Sequence, residues 1–316
     1  MLLNQNKEEF RQLVSVVAEH FSLSTSQVEK DYYVTLFLKE LSKIDSSINI
    51  VFKGGTSLSK CYKVIHRFSE DIDLAVQYNT DKVTRGERKR LKQIILQVIQ
   101  NLGLKFLNED LVRSGRDHNE YHVAYDNQFG TDSAIIPHII IETIVVYKPY
   151  PCVVKEVGNF ITNYLQEMNE SQLIKEFQLE PFSMLIQSVE RTFIDKLFAI
   201  CDYHLEGKYN RYSRHIYDIH MIWSSGILNQ EILRSIVIDV VKDRQRYGNR
   251  NKSCQPGLKP IEILKNVIES KVYKDDFENV TSQFIYKPVE YDTCIDSLKE
   301  IIDSNILPEI VDNYLI

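Results

Sequence analysis

The segment DIDLAVQY, residues 71 to 78, places two carboxylates, Asp71 and Asp73, at alternate positions of an otherwise apolar run. Alternation of this kind predicts a strand whose successive side chains face opposite ways. Both aspartates then lie on one face, with Ile72 and Leu74 on the other. Two like charges this close repel, and one of them tends to hold a proton unless a cation is shared between them. Upstream, INIVFKG (48–54) predicts a strand that stops at a glycine pair, and Gly54-Gly55-Thr56-Ser57 leads into LSKCYKVI, a segment of helical pattern. Glycines let a phosphate approach the backbone closely, and the N–H groups of a helix start favour anions. The hydroxyls of Thr56 and Ser57 add possible donors. The P-loop pattern G-x-x-x-x-G-K-[ST] is absent. A strand–GG[ST]–helix–strand unit with fourteen residues between Thr56 and Asp71 predicts instead a site for a metal–nucleotide complex. Mg²⁺, with Mn²⁺ as a substitute, suits carboxylate oxygens combined with substrate phosphates. Two such ions can stabilise both the attacking and the leaving oxygen of a phosphoryl or nucleotidyl displacement. Glu142 interrupts the apolar run IIIETIVV, where an unpaired charge is costly, and is the candidate third carboxylate.

The rest of the chain sets this unit in an α+β context. Residues 7 to 20 predict a helix with Phe10, Leu13, Val14 and Val17 on one face. Ser24 and Gln27 form a capping-box signature, and Leu23 with Val28 a staple, for a second helix reaching about Leu41. Lys30 and Asp31 fall early in that apolar helix, and their plain reading is an exposed helix edge. A long helix is expected from about Asp81 to Leu102. Its RGERKR run (85–90) reads first as a solvated face and second as a phosphate-tracking patch. YHVAY (121–125) and HIIIETIVVY (138–147) predict further strands. Beyond about residue 160 the pattern becomes helical nearly throughout. The expectation is an α+β half with a small mixed sheet over 1–165 and a mainly helical half over 166–316, the boundary being soft between 150 and 175.

Composition narrows the function classes. A formal charge of −6 over 316 residues gives no support for coating nucleic acid wholesale, although a local basic groove is compatible with it. Five scattered cysteines with no C-x-x-C pair fit neither a disulfide framework nor a structural zinc site, and read as reduced thiols of a cytoplasmic protein. No signal-peptide pattern opens the chain, and the most apolar run, 134–147, is broken by Pro137, His138 and Glu142 and is too short to span a bilayer.

In the second half, Phe193, Leu197, Ile200 and Cys201 form the buried stripe of a helix from about Val189 to His204. Lys196 borders that stripe, where a snorkelling surface lysine is the ordinary case. Asp218 lies one helical turn after Arg214, so a local ion pair is the simplest reading. Arg191 and Arg214 are further candidates for phosphate contacts. His66, His215 and His220 lack metal-ligand spacing and read as ordinary partly buried histidines.

The stretch KGGTSLSKCYKVIHRFSEDIDL closely resembles the signature of the AbiEii family. These are nucleotidyltransferase-fold toxins of type IV toxin–antitoxin and abortive-infection systems, within the DNA polymerase β superfamily. VEKDYYVTLFLKEL (28–41) is similar to that family's opening helix, VERTFIDKLFAICDYH (189–204) to its lysine motif, and SRHIYDIHMIW (213–223) to its Arg…Tyr-Asp motif. The resemblance implies a nucleotidyltransferase fold in which Gly54, Gly55, Thr56 and Ser57 form the nucleotide-phosphate turn. Asp71, Asp73 and Glu142 would hold the metal, Lys196 would face the triphosphate, and Asp218 would be the later essential aspartate, the helical half bringing Lys196 and Asp218 to the cleft. Asp195-Lys196 departs from the family's usual Glu-Lys but keeps the charge. The implied activity is transfer of a nucleoside monophosphate from an NTP to RNA, the 3′ end of tRNA in particular, by a toxin with a cognate antitoxin. A small-molecule nucleotidyltransferase, a nucleotide-binding protein without turnover, and a metal-dependent nuclease are the alternatives.

Overall fold

The computed structural model describes residues 1–78, 80, 82–130, 135–248 and 250–315. By internal contacts the chain divides into two units. Met1–Tyr62 and Phe68–Gln187 form the first; Lys63–Arg67 and Ser188–Ile316 form the second. The first unit runs past residue 165 because the strand Phe182–Gln187 belongs to it.

The first unit is built on a seven-stranded mixed sheet of order β3-β4-β5-β2-β1-β7-β6. Its strands are β1 (Asn49–Lys53), β2 (Ile72–Gln77), β3 (Lys105–Phe106), β4 (His118–Ala124), β5 (Ile139–Ile144), β6 (Cys152–Val157) and β7 (Phe182–Gln187). At its centre β2 pairs antiparallel with β1 and parallel with β5. The alternation read from the sequence holds in β2, where Ile72, Leu74 and Val76 are fully buried and Asp73 is half-buried. β7 lies in the part of the chain expected to be helical. FSMLIQ carries no clean polar–apolar alternation, and it joins the sheet by pairing antiparallel with β6 along its whole length and parallel with β1 at Ile186, pairings that no local signal announces.

Among the described residues the unit also carries the helices α1 (Lys7–Phe21), α2 (Thr25–Ser42), α4 (Arg85–Asn101), α5 (Phe160–Glu167) and α6 (Ser171–Glu176), with a one-turn α3 (Gly54–Ser57) on the glycine turn. The predicted capping box opens α2, with Ser24 Oγ accepting from Gln27 N–H and Gln27 Oε1 accepting from Ser24 N–H. Thr84 and Glu87 close a second box on α4, so that helix starts at Arg85, and Asp81, from which it was expected, lies outside the described residues. Phe37 and Leu38 of α2 and Ile94, Ile95 and Val98 of α4 share one core with the apolar residues of β2, β4 and β5. Each such fully buried side chain contributes about 1.5–3 kcal/mol. The helical continuation of the glycine turn is a π-type turn over Leu58–Tyr62, shorter than expected.

The second unit is helical: α7 (Val189–Leu205), α8 (Arg214–Ser224), α9 (Gln230–Gln245), α10 (Pro260–Ser270), α11 (Lys274–Asn279) and α12 (Tyr291–Asp303). Phe193, Leu197, Ile200 and Cys201 are each fully buried, as the helical period requires. All five cysteines are free thiols. Among the described residues no helix is long and apolar enough to cross a membrane.

Candidate active site

Strand register brings four charges into one row across the first unit's sheet. Lys53 of β1 stands opposite Asp73 of β2, Asp73 opposite Glu142 of β5, and Glu142 opposite Glu120 of β4. Paired residues of neighbouring strands share a face, so the row Lys53–Asp73–Glu142–Glu120 is common to one side of the sheet. The next rows, Ile72–Ile141–Tyr121 and Leu74–Thr143–Asn119, are buried on the other side. Two carboxylates predicted from separate segments, Asp73 and Glu142, are thus direct neighbours. Asp71 is half-buried and immediately precedes the strand, which begins at Ile72, so it is not itself held in the ladder.

The electrostatics of the row follow from that packing. Burial pushes the Glu142 carboxyl above its ordinary value, and the Asp73 charge pushes it further, against the opposing pull of His118 and Lys53. His118 Nε2 lies 3.5 Å from Glu142 Oε2. His122 Nε2 contacts Glu120 Oε1, and its Nδ1 lies 3.1 Å from His138 Nε2. Glu120 and His118 were missed from the sequence. The signal was present in HNEYHVA, where His118, Glu120 and His122 alternate as one face of a strand.

Gly54 meets this row directly. Its φ of +77° suits glycine, and a methyl group built on it would lie 1.8 Å from Asp73 Oδ2. The backbone of the turn therefore touches the carboxylate with no space for a side chain. Gly55 follows in the same turn and is half-buried. The two hydroxyls are directed inward: Ser57 Oγ donates to Gly54 O at 2.8 Å and Thr56 Oγ1 to Ser69 Oγ at 3.0 Å. Both residues are buried, and in this arrangement they shape the turn.

The donor set fits a hard divalent cation: carboxylate oxygens only, one of them wedged against a turn of backbone N–H groups. Among the described residues no three His, Cys, Asp or Glu side chains already converge as a metal-binding cluster.

In the second unit Lys196 and Asp218, predicted from separate helices, meet. Lys196 Nζ lies 2.7 Å from Asp218 Oδ2. The other partner is Arg67, whose Nε donates to Oδ1 at 2.7 Å and Nη2 to Oδ2 at 2.8 Å. Burial opposes ionisation of Asp218, yet Arg67 and Lys196 outweigh it and hold the carboxyl well below its ordinary range. Burial lowers the Lys196 ammonium, Asp218 raises it, and Arg67 lowers it again. One carboxylate between two cations leaves the cluster with net positive charge. Lys196 is buried rather than snorkelling, and Asp218 pairs with Arg67 and Lys196 in place of the local pair with Arg214 that its spacing suggested.

Arg67 reaches Asp218 because Lys63–Arg67 belongs to the second unit. His66 N–H donates to Tyr217 Oη at 3.1 Å, Tyr286 N–H donates to His66 O at 2.9 Å, and Arg67 bridges Ile285. The dipeptide His66-Arg67 thus docks on Tyr217-Asp218. No sequence signal linked residues 151 positions apart. Arg191, a candidate for phosphate contacts, lies within reach of Asp195 (3.1 Å) and Asp243 (3.4 Å), in a network with Arg244 and Asp202.

The model of the family described as nucleotidyl transferase AbiEii toxin, type IV toxin–antitoxin system, matches residues 36–300. The chain belongs to this family. It is a nucleotidyltransferase of the toxin–antitoxin kind. Among solved structures it is similar to MenT4, a nucleotidyltransferase toxin from Mycobacterium tuberculosis H37Rv. The TM-score is 0.52 at 15% sequence identity, over 92% of this chain and 88% of that one. At that identity the likeness speaks for the fold. No protein matched in a search of curated sequences.

Proposed function

We propose that this AbiEii-family chain transfers a nucleoside monophosphate from an NTP to an RNA hydroxyl, the 3′ end of tRNA, in the cytoplasm and under the control of a cognate antitoxin. The observation that carries the reading is the wedge of Gly54 against Asp73 beside Glu142. It joins a turn suited to phosphate with carboxylates suited to a divalent ion. Asp71, Asp73 and Glu142 would hold that ion, Mg²⁺ or Mn²⁺, which when bound screens the triphosphate and orients its α-phosphate. The N–H groups of the Gly54–Ser57 turn bind phosphate oxygens. Glu142, the neighbour of Asp73 in the same row, accepts the proton of the attacking hydroxyl. Lys196, paired with a carboxylate that it shares with Arg67, serves the β- and γ-phosphates, and Asp218 orients its side-chain nitrogen. Pyrophosphate leaves.

An RNA acceptor is favoured by the cations on the first unit. Arg85 and Lys89 on α4 are exposed, as are Arg113 and Arg116, and Arg88 pairs with Asp117 at 2.8 Å to join the helix to that loop. A local patch of this kind tracks phosphates despite the acidic total.

The test is label transfer. The protein is incubated with a divalent metal and each α-labelled NTP, with total cellular RNA, alongside Asp73→Asn. Label in the tRNA band that requires Asp73 supports the proposal. Pyrophosphate release with label elsewhere moves the acceptor to another class, and no turnover of any NTP refutes the catalytic assignment.

A further inference from the structure

Glu29, Lys30 and Asp31 are three consecutive charges on α2, and all three are buried, the first two completely. The expectation of an exposed edge for Lys30 and Asp31 therefore fails. Consecutive helical residues project about 100° apart, so the three cannot share one edge, and each fastens a different segment of the first unit. Glu29 Oε1 accepts from Gln128 N–H at 2.7 Å. Lys30 Nζ donates to Glu70 Oε2 at 2.6 Å and to Ile136 O at 2.9 Å. Asp31 takes Lys60 on Oδ1 and Phe160 N–H on Oδ2, and Lys60 also donates to Thr35 Oγ1.

Two of these tethers lead to the candidate active site. Glu70 immediately precedes Asp71, and Lys60 lies in the π-type turn that continues Gly54–Ser57. Ser69, one residue earlier, is held to the same glycine turn by Thr56. Ile136, the other partner of Lys30, stands three residues before β5, the strand of Glu142. Neighbouring residues of one helix therefore hold the start of the aspartate strand, the approach to the glutamate strand and the turn between β1 and β2.

We propose that Lys30 is a positioning residue for the metal-binding carboxylates. Through Glu70 and the Ile136 carbonyl it sets where Asp71 and Asp73 stand relative to Glu142. The inference rests on the reading of those carboxylates as the metal site. A buried ion pair is a poor source of stability, since apolar side chains of equal volume commonly serve as well. What a fully desolvated ammonium with two fixed acceptors supplies is a single geometry, and Asp71 needs one because it lies between Glu70 and the first residue of the ladder.

The experiment uses the full chain with Mn²⁺ and a non-hydrolysable NTP analogue, reading free Mn²⁺ by electron paramagnetic resonance beside a thermal melt. Lys30→Met keeps the buried volume. It is expected to weaken Mn²⁺ binding by about tenfold or more, the usual effect of losing a group that orients metal ligands, while the melt, lowered because Glu70 and the Ile136 carbonyl lose their partner, still shows a cooperative transition above the assay temperature. Glu70→Gln is expected to weaken it in the same direction. The double variant should be no worse than Lys30→Met alone, because both changes remove one tether. Mn²⁺ affinity within twofold of wild type in Lys30→Met, or fully additive losses, overturns the inference. If Lys30→Met does not fold, Glu70→Gln decides, its carboxylate being partly exposed. Asp73→Asn separates the two claims. If it binds Mn²⁺ as wild type does, the carboxylate site itself is wrong, and the role of Lys30 falls with it.

Discussion

Gly54→Ala isolates the contact on which the active-site assignment turns. Two costs arise together. The backbone at φ +77° is a conformation that an L-residue enters only with strain, of about 1–2 kcal/mol. The new methyl would also stand 1.8 Å from Asp73 Oδ2, where ordinary contact begins at 3.4 Å, so the carboxylate has to retreat by more than about 1 Å. Gly103→Ala provides the control, because Gly103 has φ +64° with nothing within 4 Å of an added methyl. Both variants should therefore lose the strain energy, and Gly54→Ala more because of the clash, at a Tm shift of about 2–4 °C per kcal/mol. Only Gly54→Ala should lose catalysis, by about a hundredfold or more, since a displacement near 1 Å at a reacting centre has that effect. The assay is pyrophosphate release with the preferred NTP, beside differential scanning calorimetry of both variants. Gly54→Ala that transfers nucleotide within threefold of Gly103→Ala would refute the claim that the turn and Asp73 form one site.

Other outcomes follow from the buried charges. Asp218→Asn leaves Arg67 and Lys196 facing a neutral amide and should cost about 3–5 kcal/mol. The folded carboxyl is depressed, so its contribution is present above the unfolded value near 3.8 and lost as pH falls through the folded value; the gap in Tm should stay constant at neutral pH and close only in strong acid. A gap that closes already at mildly acidic pH would contradict the ion-paired assignment. Lys196→Met, by contrast, preserves the Arg67 fork on Asp218. It should fold well while kcat/KM for the NTP falls at least tenfold, about 1.4 kcal/mol of transition-state stabilisation. Unchanged steady-state kinetics would remove Lys196 from the reaction. Burial pushes Glu29 up to about 7, the sign opposite to Asp218. Stability relative to Glu29→Gln should be highest below the ordinary carboxyl value of 4.5 and decline as pH rises through about 7, by up to about 3 kcal/mol. Parallel Tm–pH curves for the two proteins would show that Glu29 is not buried as described.

Much of the carboxylate site was legible because its grammar is local. A glycine pair after a strand, and acids two residues apart in an apolar run, are fixed by backbone geometry that operates within a few residues. Glu142 was legible for a related reason: a charge inside a β-branched run is too costly to be incidental. Glu120 and His118 carried the same alternating signal in weaker form. Where the reading failed, the missing information lay in distance along the chain. The plain reading gave Lys30 and Asp31 an exposed edge because helical period alone reports which residues are apolar. It does not report that an adjacent pair of charges will find Glu70 and Lys60 in other segments. β7 passed unrecognised because FSMLIQ has no polar–apolar alternation of its own, and its strand character comes from its neighbours β6 and β1.

By itself, then, the sequence determined the α+β character of the first half, the capped start of α2, the turn at Gly54 and the placement of Asp73 in a strand, on the face opposite Ile72 and Leu74; Asp71, expected in the same strand, falls just before it. All of these arise from dihedral preference, periodicity and the cost of isolated charge. Tertiary structure decided that Asp73 and Glu142 are neighbours in register, that Lys30 fastens the start of the aspartate strand, and that Asp218 is held by Arg67 as well as Lys196. Those choices belong to strand pairing and to burial. A buried charge takes as its partner whichever opposite group the packed chain brings within reach, and that group can be 151 residues away.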